Sequence, residues 1–274
     1  ETTKISFKFN GKTYHGFKGD TLASALLAND VHLVGRSFKY HRPRGFLGSG
    51  SEEPNAIVQV LKDDARTEPN IRATEIEIFE GFEAKSQNCW PSVNFDVGEI
   101  NNLFSPILPA GFYYKTFMWP AKLWKTYEYF IRKSAGLGVS ATQRDPDLYD
   151  HKYYHCEILI VGSGPAGLIA ASIAAKSGKK VLLVDEKPDH GGSLIGSDSE
   201  LTSINDAAPK EWINKTYSDL VSNKNIKILN RTSVAAYHNY NYLIMMQNLT
   251  DHHNENEKKN KIRQRLWKVR AKKV

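Results

Sequence analysis

Cysteine is scarce in this 274-residue chain, which has two, Cys89 and Cys156. Two thiols cannot build a disulfide framework or a four-thiolate metal site, so both are expected as reduced core residues and no metal centre is expected. Long apolar runs are missing as well. No stretch reaches the roughly 18 residues that a membrane helix needs, and the opening ETTKISFKFN lacks the charged-then-apolar layout of a secretory signal. These absences set a cytoplasmic globular protein with no membrane partner as the expectation, and 41% hydrophobic with 24% charged residues is an ordinary composition for one. The first residue is Glu1 rather than Met, so further residues are expected upstream.

The formal net charge of +7 is concentrated near one end. Residues 251–274 carry nine Lys/Arg against three Asp/Glu, a surplus of six that leaves one positive charge for everything before them. Within that tail Trp267, Val269 and Ala271 alternate with Lys268, Arg270 and Lys272, the period-2 pattern of a half-buried strand with a solvated face. The charge therefore reads as the outer face of a strand, and no nucleic-acid partner is expected.

The N-terminal block has clear punctuation. Ile5, Phe7 and Phe9 alternate ahead of Asn10-Gly11, a strong short hairpin signal. Asp20 or Thr21 can cap a helix over the following LASALLA, and strands are expected at AIVQVL (56–61) and ATEIEIF (73–79). Hairpin, helix, loop and returning strands outline a β-grasp domain over residues 1–100. Residues 101–153 read as an aromatic-rich connector. In it Pro120 opens a helix with Leu123, Trp124, Tyr127 and Ile131 on one stripe, stopped at Gly136, and the polar run 140–155 reads as a linker. Residues 251–262, rich in Asn and Lys, read as a hairpin loop.

Residues 154–274 open on EILIVGSGPAGLIAASIAAKSGKKVLLVDE. Ile158 to Val161 is a short continuous apolar run, as expected of a strand covered on both faces. Gly162 permits a tight turn, Gly164 lets backbone approach a pyrophosphate, and Gly167 lets the next helix pack close to the strand. Ser163, Pro165 and Ala166 complete the loop, and the helix N-terminus faces the phosphates with unpaired N–H groups. Val181 to Val184 supply the second strand. Asp185, or Glu186 beside it, closes that strand where an acid accepts from a ribose hydroxyl, and so favours NAD or FAD over NADP. Gly192 and Ser193, in the GGSL that follows, either approach the same nucleotide or form a simple turn. No residue in this stretch carries an evident catalytic role.

RSFKYHRPRG (36–45), EEPNA (52–56), FYYKTFMWP (112–120), AGLG (135–138), GSGPAGL (162–168) and VDEKPDHGGSL (184–194) together resemble the α subunits of heterotetrameric sarcosine oxidases. The resemblance implies an oxidoreductase that demethylates sarcosine to glycine with O2 and tetrahydrofolate, giving H2O2 and methylene-tetrahydrofolate. It implies β, γ and δ partner subunits, FMN at a subunit contact, and NAD in the site of Gly162, Gly164, Gly167 and Asp185 or Glu186, with FAD the alternative there. It also implies that the chain is an N-terminal fragment, holding only the first part of a Rossmann-like FAD/NAD(P)-binding domain.

The first domain resembles the ferredoxin-like domain of related flavin dehydrogenases, in which three cysteines near an RG pair ligate a [2Fe–2S] cluster. Here Gly48, Glu53 and Ala56 stand at those positions, so a cluster-less domain without iron–sulfur is expected. Arg42 and Arg44 read either as phosphate contacts or as surface charges on the loop. The rival readings are the α subunit of an FAD-dependent amino-acid, opine or cyanide-forming dehydrogenase, and a non-catalytic NAD-binding scaffold.

Overall fold

The computed structural model describes residues 3–108, 110–111, 117, 119–197, 202–254, 257–258 and 262–274. Most of FYYKTFMWP, residues 112–116 and 118, lies outside them, as do five positions within 251–262. The chain divides into two compact units, Glu1–Pro146 with His252–Glu257, and Asp147–Asp251 with Lys258–Val274. Both are mixed α/β.

The first unit begins with the expected hairpin. Strands β1 (Lys4–Phe9) and β2 (Lys12–Phe17) pair antiparallel from Phe9↔Lys12, and Asn10 and Gly11 turn the chain with φ of 51° and 77°. Both central residues of such a two-residue turn need positive φ, which Asn and Gly adopt at little cost. Ile5, Phe7 and Phe9 point to the core. Helix α1 (Leu22–Ala28) starts where Thr21 Oγ1 accepts from the Ser24 N–H, and buries Leu22, Ala23, Ala25 and Leu26. Two two-residue strands, β3 (Gly35–Arg36) and β4 (Pro43–Arg44), pair with each other. The main sheet takes in β5 (Ile57–Leu61), β6 (Glu68–Arg72) and β7 (Phe82–Ser86), in the order β2-β1-β7-β5-β6 with β1 and β7 parallel.

Residues 73–79 alternate like a strand and yet are not one. Their carbonyls serve the start of α1 instead: Leu22 N–H donates to Ile76 O and Ala23 N–H to Ala73 O, each at 2.9 Å. Ala73, Ile76 and Ile78 line the core beneath the helix. The apolar alternation was real, and the competing demand of a helix N-terminus for acceptors took the backbone.

The stretch read as connector groups with this unit. A 3-10 segment covers Val97–Ile107, and helix α2 (Trp124–Ala135) ends at Gly136, whose φ is 63° and whose added Cβ would stand 2.6 Å from Asn88 Cα. No side chain of α2 is buried. Its end is fastened by the buried His41, whose Nδ1 lies 2.6 Å from Asp96 Oδ2 and whose Nε2 lies 2.9 Å from Ser134 O.

A second carboxylate organises the loop before β5. Glu53 is fully buried, and its two oxygens accept from the N–H groups of Leu47, Gly48, Asn55 and Ala56 at 2.6, 2.6, 2.7 and 3.2 Å. Burial pushes this carboxyl up, and the four N–H donors outweigh burial and hold it below the ordinary 4.5.

In the second unit β8 (Leu148–Val161), β9 (Val181–Val184), β10 (Ile226–Leu229), β11 (Thr232–His238), β12 (Tyr242–Asn248) and β13 (Ile262–Lys273) form one sheet in the order β10-β9-β8-β13-β12-β11. The four strands β10, β9, β8 and β13 run parallel, and β13, β12 and β11 are an antiparallel meander. Helix α3 (Pro165–Lys176) joins β8 to β9, and α4 (Pro209–Val221) leads into β10. Successive residues of β9 face opposite sides: Leu182 and Val184 pack with Leu229, Met245, Trp267 and Val269, while Leu183 packs with Leu168, Ala171 and Trp212 from the helices. Trp267, Val269 and Ala271 are buried and Arg270 and Lys272 exposed, as the alternating tail requires.

The linker reading of 140–155 fails from Leu148 onward. Polar residues 148–155 are strand because β13 pairs with them from Leu148↔Ile262 to Ile158↔Lys273, with Arg265 bidentate on Asp150 at 2.7 and 2.9 Å.

Glu53→Ala removes the acceptor of four N–H groups and should cost the first unit about 3 kcal/mol, read as a lower urea midpoint. Because the folded carboxyl titrates below its ordinary value, Glu53 stabilises fully above pH 4.5, and this share is lost as the pH falls below that. The variant should therefore show a flatter acid limb in a stability-against-pH series.

Candidate functional site

The turn between β8 and α3 is built on three glycines with three different needs. Gly162 has φ of 95° and donates its N–H to Val184 O at 2.8 Å. Gly167 is the closest approach: an added Cβ would lie 1.9 Å from Gly162 O, so any side chain would push helix from strand. Gly164 has the reverse environment, with no atom within 4 Å of an added Cβ. Its φ of −67° does not require glycine, so the open space beside it is room for backbone to be approached by a ligand.

Helix α3 begins at Pro165, whose missing N–H is no loss at that position. The N–H groups of Ala166 and Gly167 follow in the first turn, where no helical carbonyl can receive them. Together they form an opening with a positive dipole end that suits a diphosphate.

The two acids after β9 have different situations. Asp185 faces the glycine loop: its Oδ2 accepts from Ser163 N–H and, at 2.7 Å, from Ser163 Oγ–H, and its Oδ1 accepts from Lys187 N–H at 2.8 Å. Glu186 is exposed and makes no hydrogen bond among the described residues. The sequence left either acid as the sugar contact. The structure ties Asp185 to the loop and leaves the Glu186 carboxylate open to a ligand.

Gly191 and Gly192 both have positive φ, 117° and 56°. Gly191 N–H donates to Ser163 O at 2.9 Å, and an added Cβ on Gly192 would lie 3.0 Å from Gly164 Cα. The GGSL segment thus runs against the glycine loop and is more than a simple turn; Gly192 and Ser193 start a short 3-10 segment there.

His190 was not singled out from the sequence. It is buried, stacks on Tyr217 with ring centroids 4.2 Å apart, and lies 2.8 Å through Nδ1 from Ser163 Oγ. Since Ser163 Oγ–H donates to Asp185, its lone pair accepts from His190 Nδ1–H, which fixes the tautomer. Burial pushes His190 below the ordinary 6.5, against the opposing pull of Asp185, Asp189 and Asn230. A chain of three side chains, His190 to Ser163 to Asp185, thereby sets the loop. A histidine next to a glycine pair is a weak signal in sequence, and only the fold brings it to Ser163. Arg42 and Arg44 are in the other unit: Arg42 Nε donates to Asn102 Oδ1 at 3.0 Å and Arg44 Nη1 reaches only Pro43 O, at 3.5 Å. Among the described residues no group of three or more His, Cys, Asp or Glu could hold a metal ion, and no helix is long and apolar enough to cross a membrane.

With this geometry in view, residues 157–262 match the FAD dependent oxidoreductase family and residues 2–89 the 2Fe-2S iron-sulfur cluster binding domain family. Nearly the whole chain is similar to sarcosine oxidase subunit alpha. It is 48% identical over 268 residues to that subunit of Rhizobium meliloti (strain 1021), 97% of this chain and 27% of the relative, and 34% identical over 265 residues to that of Corynebacterium sp. (strain P-1), 22% of the relative. The chain thus spans about a quarter of the length of the curated relatives it matches. In fold it resembles the L-proline dehydrogenase from P. horikoshii, with a TM-score of 0.56 at 16% identity over 99% of this chain and 40% of that one.

Two cofactor expectations are corrected by these matches. The glycine-loop stretch matches an FAD-dependent family, which points to FAD rather than NAD; the loop and a terminal acid are common to both cofactors and could not separate them. The expectation of a domain without iron–sulfur is overturned at the level of the family, because residues 2–89 match a cluster-binding one. The donors in this chain are a separate matter. Where thiolates would stand, Gly48 and Ala56 offer only backbone, and the Glu53 carboxylate is engaged by four N–H groups, so the loop as folded does not fit the four thiolates of such a cluster.

Gly164→Val and Gly167→Ala separate the two glycine roles. The first should leave the melting temperature nearly unchanged and block dinucleotide binding, whereas the second should lower both, read by circular dichroism and by nucleotide titration. His190 should show in a pH series: its folded value lies below 6.5, so its contribution is full above that pH and is lost as the pH falls below it. His190→Gln should remove this dependence.

Proposed function

We propose that this chain is the FAD-binding part of a flavin-dependent amine oxidoreductase of the sarcosine oxidase α-subunit type. The observation that carries it is the glycine turn, with a contact of helix and strand that admits no side chain at Gly167 beside a space at Gly164 that none of the described residues fills. In this reading the first unit is a ferredoxin-like β-grasp domain, supported by the strand order β2-β1-β7-β5-β6 around α1, and the second the opening part of a Rossmann-like domain, supported by parallel β10, β9 and β8 with α3 between β8 and β9.

The backbone N–H groups of Ala166 and Gly167 receive the diphosphate, and Gly164 lets it approach. Glu186 accepts from the ribose hydroxyls of the adenosine half, while Asp185, held by Ser163 and through it by His190, keeps the turn in shape before any ligand arrives. Gly192 and Ser193 border the same phosphates. A bound FAD supplies an acceptor for the electron pair and proton lost when a C–H next to an amine nitrogen is oxidised. Preorganisation matters because a loop already fixed loses little freedom on binding. None of the residues of this chain takes a catalytic role in the reading.

The resemblance to sarcosine oxidase α subunits carries the rest of the proposal: sarcosine as the amine, O2 and tetrahydrofolate as co-substrates, and β, γ and δ subunits as partners. The test is FAD itself. Equilibrium titration by flavin fluorescence quenching should give saturable binding, with Glu186→Gln weakening it by about tenfold and Asp185→Asn lowering stability as well as affinity. Tight NAD binding with no FAD binding would overturn the assignment.

A further inference from the structure

Four cations gather on one face of the sheet in the second unit: Lys152 on β8, Lys180 just before β9, Lys227 on β10 and Arg265 on β13. Three of them, Lys180, Lys227 and Arg265, surround two aromatic rings, Tyr154 and Trp267, which meet edge to face at 6.2 Å, and Lys152 lies near Lys227. Lys180 Nζ stands 4.2 Å from the Tyr154 ring centre, Lys227 Nζ 5.2 Å from Tyr154 and 4.6 Å from Trp267, and Arg265 Cζ 5.8 Å from Trp267. Among the described residues Arg265 pairs directly with the Asp150 carboxylate, which also feels the charge of Lys152, while no ion pair is seen for Lys180 or Lys227. Glu157, on the same strand, already accepts from Lys180 N–H and Lys272 Nζ. The Lys227 ammonium titrates below the ordinary lysine range, first because it is partly buried and then because Lys152, Arg265 and Lys180 crowd it. Like charges held this close are unfavourable until an anion joins them, and the ring contacts orient the cations without neutralising them.

The same place has an open strand edge. β8 pairs with β13 along Leu148–Ile158 and with β9 only over Ile158–Val161; Glu157 N–H donates to Lys180 O at 2.9 Å, and between Asp150 and Cys156 no strand among the described residues pairs with its other edge. Lysine on such an edge ordinarily guards against unwanted pairing, which would explain Lys152. It does not explain Lys180, Lys227 and Arg265, which belong to other elements and converge on the same ring pair.

We propose that this edge and its cationic face form a docking site for an acidic segment of a partner protein, taken in extended conformation beside β8. Its backbone would pair with the open edge, and carboxylates at alternate positions would meet Lys152, Lys180 and Lys227 over the Tyr154 and Trp267 rings. The site shares no residue with the glycine turn.

The test uses the full chain and a fluorescent peptide of alternating Glu and Thr, with an alternating Lys and Thr peptide as control. The acidic peptide should bind with an affinity that falls as salt rises, and should slow amide exchange over residues 149–155. Lys152→Glu with Lys227→Glu should weaken it by about tenfold or more, and Lys152→Met with Lys227→Met should do so without adding charge repulsion. Both variants should bind FAD as the parent does, so a failure here is distinguishable from a failure of the flavin reading. Unchanged peptide affinity in the variants, no protection of residues 149–155, or tighter binding of a single-stranded polynucleotide without that protection would overturn the proposal.

Discussion

The contact between Gly167 and the Gly162 carbonyl is the constraint on which the second unit depends. It fixes how near the first turn of α3 comes to the end of β8, and so where Leu168 and Ala171 meet Leu183 across the helix face of the sheet. The same closeness aims the first N–H groups of the helix into the space above Gly164. Packing and ligand recognition are thus one geometric fact, since the backbone cannot approach a diphosphate unless the helix is already drawn onto the strand.

Carboxylates recur as organisers of irregular backbone. Asp185 gathers Ser163 and Lys187, Glu53 gathers four N–H groups of the loop before β5, and Asp96 takes Trp90 N–H, Gly98 N–H and the His41 ring. Each does for a loop what a ladder does for a strand, because an ionised acceptor satisfies several buried donors at once. Asp185 is one of these organisers, whereas the Glu186 side chain beside it is exposed. The same gathering of donors also explains how the loop around Glu53 keeps its shape.

Features governed by near neighbours were legible in the residues alone. Asn10-Gly11 makes its turn through its own φ angles, α1 begins where Thr21 can cap it, α2 stops at Gly136, and the glycine spacing of 162–167 encodes a strand, turn and helix within a few residues. Features governed by remote partners were not. Leu148–His155 looks like a polar linker and is strand because β13 lies 115 residues further along. Residues 73–79 look like strand and instead supply acceptors to α1.

What the sequence by itself determined is the glycine turn between strand and helix, the hairpin and the alternating C-terminal strand, because each depends on backbone freedom or periodicity over a handful of positions. Tertiary structure decided which acid braces the loop and which stays open, brought His190 to Ser163, turned a polar stretch into strand, and assembled Lys180, Lys227 and Arg265 around Tyr154 and Trp267. These depend on which distant segments the packed sheet brings within a few ångströms, and spacing along the chain carries no record of that.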